Sequence, residues 1–307
     1  MILTVTLNAA LDVTHRVDRL HLHASNRVSA VAQRAGGKGV NVARVLHALG
    51  HPTAVTGFAG GPTGAAVRAE LTSAALADHL VPIEGESRRT VAVVDDRDTT
   101  ILLEPGPRVT PAEWARFTRR YRELLGGARA VVLSGSLPPG VPADAYAELV
   151  ALARAADVPT VLDADGEALL TALAERPDVI KPNAHELAAA TGGDDPAAGA
   201  AALAAAGARA VVASLGPDGL LAHTPDGVWR ARPPAPVAGN PTGAGDAAVA
   251  ALALGLITQR PWPERLVEAV ALSAAAVAAP LAGDFDAATR RALLGTVTVS
   301  PVPPSGT

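Results

Sequence analysis

Two glycine-rich segments, each followed by a helix-forming run, could hold an anionic ligand. The first is Ala35-Gly36-Gly37-Lys38-Gly39-Val40-Asn41, and the second is Gly239-Asn240-Pro241-Thr242-Gly243-Ala244-Gly245-Asp246. Glycine lets the backbone approach a ligand closely, and the first N–H groups of a helix point outward at the positive end of its dipole. The first segment is not a Walker-type phosphate loop, which needs Ser or Thr after its lysine. Either segment alone is also typical of an ordinary glycine loop before a helix.

Asp246 falls in the first turn of the helix that the second segment predicts. An acid at that position can serve only as a favourable charge at the start of a helix. Beside amides that hold a transferring phosphoryl group, its carboxylate could instead accept a proton from an alcohol. We therefore predict that Asp246 is a general base, that Gly243, Ala244 and Gly245 form the anion hole, and that Lys38 offsets the developing charge.

The chain contains only two lysines, Lys38 and Lys181, beside 24 arginines. A compositional bias that replaces lysine by arginine wherever either serves explains the imbalance. A lysine that survives such a bias marks a place where a compact ammonium is needed and a guanidinium does not fit. Both lysines, and four of the five asparagines, lie in the motifs described here.

Two further motifs lie between the glycine segments. In Lys181-Pro182-Asn183-Ala184-His185-Glu186-Leu187 the proline favours a helix start near Asn183, and Asn183 and Glu186 share a helix face. That pattern is also a capping box. The other motif, Ser214-Leu215-Gly216-Pro217-Asp218-Gly219, is typical of a strand end followed by a tight turn.

The order and separation of these motifs resemble the ribokinase/PfkB carbohydrate kinase family, and the resemblance covers essentially the whole chain. Within it, Thr6-Leu7-Asn8-Ala9-Ala10-Leu11-Asp12, Glu104-Pro105-Gly106-Pro107 and Ser134-Gly135-Ser136-Leu137-Pro138-Pro139-Gly140 are similar to the hexose-phosphate branch. That branch includes 1-phosphofructokinase, tagatose-6-phosphate kinase and the minor 6-phosphofructokinase. The chain departs from the branch at Ala9, where proline is usual, and at Ser87-Arg88-Arg89-Thr90, which replaces Thr-Arg-x-Asn.

The resemblance implies ATP and Mg²⁺ as cofactors and assigns residues to them. On the sugar side it implies Asp12, which would otherwise be an exposed loop aspartate, together with Gly36, Gly37, Lys38, Gly39, Asn41 and Ser136. On the nucleotide side it implies Lys181, Asn183, Ser214, Gly216, Gly219, Thr242, Gly243 and Gly245. Glu186 is similar to the family residue that organises magnesium through water.

A phosphorylated sugar needs a second anion site beside the phosphates of ATP. Arginine binds phosphate through two parallel hydrogen bonds, and Arg27, Arg88 and Arg89 fall in segments that are predicted to cover the sugar. Most of the 24 arginines must be solvated at the surface, so each is weak support alone. The family position of Arg88 in a phosphate loop makes it the strongest candidate.

The resemblance implies ATP-dependent phosphorylation of a hexose monophosphate, and we expect fructose 1-phosphate to become fructose 1,6-bisphosphate. Tagatose-6-phosphate kinase is an alternative, supported by Asn240-Pro241 before the glycines. Another PfkB sugar kinase is a further alternative. A non-catalytic sugar-phosphate sensor on the same scaffold belongs to another class, and it would have no need of Asp246.

Apolar runs alternate with helix-period segments along most of the chain, which predicts an α/β fold with a doubly wound, mostly parallel sheet. The resemblance implies that this sheet is ribokinase-like. Expected strands lie near 2–7, 53–57, 130–133, 159–162, 178–180 and 210–213. Expected helices lie near 38–49, 63–76, 111–125, 142–155, 184–191, 196–206, 244–257, 263–278 and 286–294. Short alternating patterns in about 13–34 and 87–104 predict antiparallel strands outside the main sheet, which together form a small β-flap, or lid.

Composition limits the other possibilities. The 307 residues are 49% hydrophobic and 18% charged, which predicts a chain that forms a hydrophobic core. The resemblance implies a single PfkB-type kinase domain over 1–307. Without cysteine there is no thiolate metal site or cysteine nucleophile. A net charge of −4 with 3% aromatic residues argues against a nucleic-acid partner. We expect no membrane span, no secretory signal in MILTVTL, a cytoplasmic location, a loosely ordered tail at 300–307, and a homodimer paired through the lid edges.

Overall fold

The computed structural model describes residues 1–303, which form fifteen strands and ten α-helices. The strands are β1 (Ile2–Thr6), β2 (Ala10–Arg16), β3 (Ala30–Gly36), β4 (Thr53–Gly60), β5 (Ala77–Asp78), β6 (Val81–Ile83), β7 (Arg88–Val94), β8 (Thr99–Leu103), β9 (Ala130–Ser134), β10 (Thr160–Asp163), β11 (Val179–Ile180), β12 (Val211–Ser214), β13 (Leu220–Thr224), β14 (Gly227–Arg232) and β15 (Thr298–Pro301). The α-helices are α1 (Lys38–Ala48), α2 (Gly61–Ser73), α3 (Pro111–Leu125), α4 (Ala145–Ala155), α5 (Gly166–Ala172), α6 (Ala184–Thr191), α7 (Pro196–Ala205), α8 (Ala244–Thr258), α9 (Trp262–Val277) and α10 (Ala287–Leu294).

Eleven of these strands form the main sheet, in the order β15-β14-β13-β12-β11-β10-β9-β1-β4-β5, with β6 beside β4. The strands from β12 to β6 pair in parallel, and β13, β14 and β15 add an antiparallel edge. Every residue of β1, β4, β9 and β10 is buried. A strand that is covered on both faces is mostly apolar, and the apolar runs of the sequence predicted these strands.

Helices cover both faces of the sheet, as the doubly wound prediction requires. Side chains that alternate along one strand enter different cores: Ile2 belongs to the core that includes residues of α1, α8 and α9, whereas Leu3 belongs to the core that includes residues of α3, α4 and α7. A third, smaller core joins α2 to the inner strands of the second sheet. Within residues 1–303, none of the helices is both long and apolar enough to cross a membrane.

The second sheet is the predicted lid, with strand order β3-β2-β7-β8. It lies outside the main sheet, as expected, but its strands are not all antiparallel, because β2 pairs with β7 in parallel. The parallel pairing follows from the connections, since β2 follows β1 and β7 follows β6, and both leave the main sheet at the carboxyl ends of its strands. Strand structure begins at Ala10, earlier than predicted, and residues 17–29 form a connection rather than a strand.

The end of the described chain differs from the predicted loose tail. Ser300 and Pro301 belong to β15, which pairs with β14 through Ser300 opposite Arg230 and Pro301 opposite Trp229. Val299 packs against the core that contains α9, which explains why this segment is held in place. The predicted tail also includes residues 304–307, which lie outside the described residues.

Candidate active site

Polar residues stand where the buried strands of the main sheet end. Thr6 ends β1, Ser134 ends β9, Asp163 ends β10, Lys181 follows β11 and Ser214 ends β12. In open α/β sheets the carboxyl ends of the strands form the crevice in which ligands bind. Two cavities lie along this edge, one of about 860 Å³ and one of about 180 Å³, and Lys38 lines both of them.

The second glycine segment forms the N-terminus of α8, as predicted. Gly243 precedes the helix with a φ of 87°, and the amide of Ala244 donates to the Pro241 carbonyl at 3.2 Å. The amides of Gly245 and Asp246 have no protein acceptor among residues 1–303, because the first turn of a helix offers none. Both residues line the larger cavity, and free amides at a helix N-terminus can bind an anion.

Asp246 lies beside these amides, with only 6% of its surface exposed. The Asn41 Nδ2 group donates to its Oδ2 atom at 2.8 Å. Burial, together with the nearby Asp163 carboxylate, raises the pKa of Asp246 to about 7, against the opposing effects of the Asn41 hydrogen bond and the charges of Lys38 and Lys181. A carboxyl group with that pKa can take up a proton near neutral pH. Asn41, predicted to bind substrate, lines the larger cavity and also contacts the predicted base.

Asp163 is a site residue that the sequence analysis missed. It is fully buried, and it pairs with Lys181 Nζ at 3.3 Å and with Lys38 Nζ at 3.4 Å. Burial would raise the pKa of Asp163, but the two ammonium groups outweigh burial and hold the pKa below its usual range. The available signal was a lone carboxylate at the end of an apolar strand. The two lysines of the chain thus meet at one carboxylate.

The two lysines lie close to Asp163, Asp246 and the anion hole, which together we call the transfer site. A Cβ atom built at Gly245 would lie 3.4 Å from Lys181 Nζ, so this buried ammonium stands next to the anion hole. Lys38 Nζ also lies 3.9 Å from Glu186 Oε1. Burial lowers the pKa of Lys38, but the carboxylates of Asp163, Glu186 and Asp246 outweigh it and raise the pKa above its usual value. Lys38 is therefore cationic at neutral pH.

Asn183 and Glu186 form the capping box that their spacing allows. Asn183 Oδ1 accepts from the Glu186 amide at 2.8 Å, and Glu186 Oε2 accepts from the Asn183 amide at 2.8 Å. The second carboxylate oxygen, Oε1, remains at the wall of the larger cavity. Among residues 1–303 no cluster of three or more metal-ligating side chains occurs. Magnesium that is held by phosphates and water needs only one or two carboxylates, so Glu186 fits a water-mediated site.

The remaining nucleotide-side predictions line the larger cavity. Ser214, Gly216, Gly219 and Thr242 all do so, and so does Lys181. The cavity is also lined by apolar side chains, those of Leu220, Val237, Val270, Ala274 and Val277. A cavity that has both an anion hole and apolar lining suits a nucleotide, whose phosphates and base have those properties.

The smaller cavity brings together Lys38, Gly37, Arg88 and Ser136 from the predicted sugar site. Asn8 joins them, donating from Nδ2 to Ser136 Oγ at 3.1 Å. Arg88 Nε donates to the Asn8 carbonyl at 3.0 Å, which fixes the guanidinium at the cavity wall. Three buried polar atoms of this wall have no protein partner among residues 1–303: Thr6 Oγ1, Asn8 Oδ1 and Ser134 Oγ. Buried polar atoms normally have partners, so this cavity is built for a polar ligand.

The other sugar-side predictions lie elsewhere. Asp12 is on β2 of the lid, where burial raises its pKa against a hydrogen bond from Thr90 and the charge of Arg88. A Cβ atom built at Gly36 would collide with the Asp12 carboxylate, and one built at Gly39 would collide with Thr6 Oγ1. Both glycines therefore allow close packing and do not line either cavity. Arg27 is exposed in the connection after β2 and also lines neither cavity.

A family model described as "pfkB family carbohydrate kinase" matches residues 3–288. The chain belongs to the pfkB carbohydrate kinase family. Solved structures agree along almost its whole length. A protein from Thermotoga maritima described as a possible 1-phosphofructokinase is 29% identical, with 98% of this chain and 99% of that chain covered and a TM-score of 0.88.

Phosphofructokinase-2 from Escherichia coli, in complex with substrates and products, is 28% identical, with 96% of this chain and 98% of that chain covered and a TM-score of 0.86. The same Escherichia coli protein in complex with fructose-6-phosphate has the same identity and TM-score. This pfkB kinase is therefore a phosphotransferase that uses ATP to phosphorylate a sugar or sugar phosphate, and the lid over the carboxyl edge is part of the family's fold.

Proposed function

We propose that this pfkB kinase transfers the terminal phosphoryl group of ATP, bound with Mg²⁺, to a hydroxyl of fructose 1-phosphate, which gives fructose 1,6-bisphosphate. One observation carries the proposal: Lys38 stands between the anion hole of the larger cavity and a smaller polar cavity that contains Arg88. Two anionic groups close together repel, so a site that holds two phosphates needs cations between and beside them. This arrangement supplies them in a chain whose net charge is −4.

The groups around the transfer site support an in-line displacement. Asp246 takes the proton of the attacking hydroxyl, and the amides of Gly245 and Asp246 with Lys38 and Lys181 stabilise the charge of the transferring group. Asn41 holds the base in place. Glu186 and the phosphates of ATP would hold Mg²⁺ through water, and the ion would supply positive charge to those phosphates. The lid excludes water, which would otherwise compete as the acceptor.

Other sugars remain candidates within the family. The Escherichia coli relative binds fructose-6-phosphate, and Asn240-Pro241 keeps tagatose 6-phosphate as an alternative acceptor. A sensor without activity is less well supported, because a sensor has no use for a carboxyl group whose pKa is about 7 beside two free amides.

A coupled assay that follows ADP release tests the proposal directly. The acceptors are fructose 1-phosphate, fructose 6-phosphate, tagatose 6-phosphate, fructose and ribose, each with saturating ATP and Mg²⁺. We expect the highest kcat/KM with fructose 1-phosphate. Good turnover of plain fructose with none of fructose 1-phosphate would refute the phosphohexose assignment. Binding of fructose 1-phosphate by calorimetry without turnover of any acceptor would favour the sensor.

A further inference from the structure

The connection between α9 and α10 packs against two parts of the transfer site: Gly243, which precedes the anion hole, and Asn41, which bonds to Asp246. A Cβ atom built at Gly243 would lie 2.9 Å from Ala282 Cα. A Cβ atom built at Gly283 would lie 3.2 Å from Asn41 Cα. The backbone at Ala282 and Gly283 therefore fills the space between the start of the anion hole and the residue that holds the base. Any shift of this backbone changes the position of both.

One side chain of the lid holds this backbone. Arg34 NH1 donates to the Ala282 carbonyl at 3.1 Å and to Asp284 Oδ2 at 2.9 Å, and NH2 donates to Asp284 Oδ1 at 2.6 Å. Two parallel bonds to one carboxylate define the direction as well as the distance of a guanidinium. The side chain of Arg34 is 21% exposed and that of Asp284 is 42% exposed, so this pair lies at the rim of the crevice, where its geometry rather than burial defines the contact.

Arg34 moves with the lid, because it belongs to β3. Its cross-strand neighbour is Asp12, whose own neighbour on the other side is Thr90. These three side chains share the face of the lid sheet that also carries Arg88. The chain passes from β3 to α1 through Gly37, whose φ of 105° is open to glycine and strained for other residues. A movement of the lid about this point moves Arg34 relative to Asp284.

We propose that Arg34 and Asp284 are positioning residues that couple the lid to the anion hole. When the lid covers the sugar, Arg34 seats the Ala282–Gly283 backbone against Gly243 and Asn41, and phosphoryl transfer becomes efficient. By linkage, a sugar under the lid then tightens nucleotide binding, and a nucleotide tightens sugar binding by the same factor. The coupling rests on the proposed function only for the identity of the sugar.

The test is the dissociation constant of the non-hydrolysable analogue AMP-PNP with Mg²⁺, measured with and without saturating fructose 1-phosphate. We expect the sugar to tighten AMP-PNP binding by about 5-fold or more in the wild type, the lower end for a coupled pair of sites. Arg34→Gln should reduce this factor to below about 2-fold and lower kcat, while the dissociation constant of AMP-PNP alone stays unchanged. Asp284→Asn, which keeps the shape of the side chain, should behave in the same way.

Arg154→Gln is the matched control, since Arg154 also binds a carboxylate, that of Glu175 at 2.6 Å, and a backbone carbonyl, at 3.0 Å, away from both cavities. It should leave the coupling factor unchanged. Arg34→Lys should keep more of the coupling factor than Arg34→Gln does, a difference that loss of folded structure alone would not predict. A wild type without coupling, or an Arg34→Gln variant that keeps it, would overturn the proposal. If the wild type phosphorylates another sugar of the assay, that sugar replaces fructose 1-phosphate, and failure of the substrate assignment stays separate from failure of the coupling.

Discussion

Asp163 and Asp246 are buried in one cluster, yet the pKa of Asp163 is lowered and that of Asp246 is raised to about 7. The difference comes from their neighbours. Asp163 contacts the ammonium groups of Lys38 and Lys181, whereas the side chain of Asp246 accepts a hydrogen bond from the neutral amide of Asn41. Two carboxyl groups whose environments separate their pKa values in this way have separate roles. We therefore propose that Asp163 fixes the lysines and that Asp246 exchanges a proton.

Substitution of the predicted base separates chemistry from binding. Asp246→Asn keeps the shape of the side chain but cannot accept the proton, so kcat should fall by about 10²- to 10⁴-fold. The affinity for AMP-PNP, measured by calorimetry, should change little. Asp286→Asn is the control, because Asp286 is an exposed cap of α10. A variant at Asp246 that turns over at near wild-type rate would exclude this residue as the base.

The pH profile follows from the raised pKa of Asp246, about 7. The base must be ionised to accept a proton, so kcat/KM for the sugar should be constant above that pKa and should fall about tenfold per pH unit below it. The phosphate of the substrate also titrates near pH 6. The pH dependence of the residual activity of Asp246→Asn shows the effect of the substrate phosphate alone. A wild-type profile that stays flat down to pH 5 would contradict the assignment of the pKa.

Arg88 should read the phosphate of the acceptor. Arg88→Ala should lower kcat/KM for fructose 1-phosphate. The corresponding loss of transition-state stabilisation should be roughly 2–4 kcal/mol, the cost when a charge-assisted pair loses one partner. The KM for ATP should barely change, since Arg88 lines only the smaller cavity. Arg89→Ala is the neighbouring control, because Arg89 bonds to Thr63 on the other side of β7. Equal losses with fructose 1-phosphate and fructose would show that Arg88 does not bind the phosphate.

Local sequence patterns predicted the positions of the buried strands and of most helices, but they did not predict how distant strands pair. The buried apolar runs predicted the parallel strands around β1 and β9, and the glycine segments predicted the starts of α1 and α8. Nothing local to β2 or β7 reveals that they pair in parallel, because that depends on where the connections leave the main sheet. The edge strands β13, β14 and β15 were missed, and so was helix α5, which is only seven residues long.

The same limit explains which site residues were found. Asp246 and Lys38 lie in motifs that can be recognised within eight residues of sequence. The environment of Asp163 is assembled from α1, β10 and the end of β11, which are up to 143 residues apart in the chain, from Lys38 to Lys181. The contact between Arg34 and Asp284 spans 250 residues. Such pairs leave no local trace in a single sequence.

The start of α8 depends on the backbone of Gly243. Gly243→Ala places a Cβ atom 2.9 Å from Ala282 Cα and 3.2 Å from the Gly283 amide, in addition to the strain of a φ of 87°. Gly192→Ala is the control, since Gly192 has a φ of 74° with open space around it. The control should lose only the left-handed strain, about 1–2 kcal/mol of unfolding free energy. Gly243→Ala should lose more stability and most of its kcat. Equal stability losses in denaturant titrations would show that the contact with Ala282 is not restrictive.

At the scale of the whole molecule, the exposed apolar surface is concentrated in the lid. Of the eight large apolar side chains that are exposed within residues 1–303, six belong to the lid and its connections: Leu22, Val28, Val31, Ile101, Leu102 and Leu103. The outer strands β3 and β8 also leave backbone groups unpaired along both edges of the lid sheet. Exposed sheet edges with apolar side chains favour pairing with another chain. We therefore propose that two copies associate through their lids.

Association of two copies should depend on the exposed apolar side chains of the lid. Val31 and Leu102 lie on the same face of the lid sheet, one on each edge strand. The double variant Val31→Asp and Leu102→Asp adds two charges to each copy at the interface, where desolvation and like-charge repulsion oppose association. In sedimentation velocity at assay concentrations the wild type should be a dimer and the double variant a monomer with similar thermal stability. Leu170→Asp, at an exposed leucine outside the lid, should remain dimeric. A wild type that sediments only as a monomer would refute the dimer, and a double variant that remains dimeric would place the interface elsewhere.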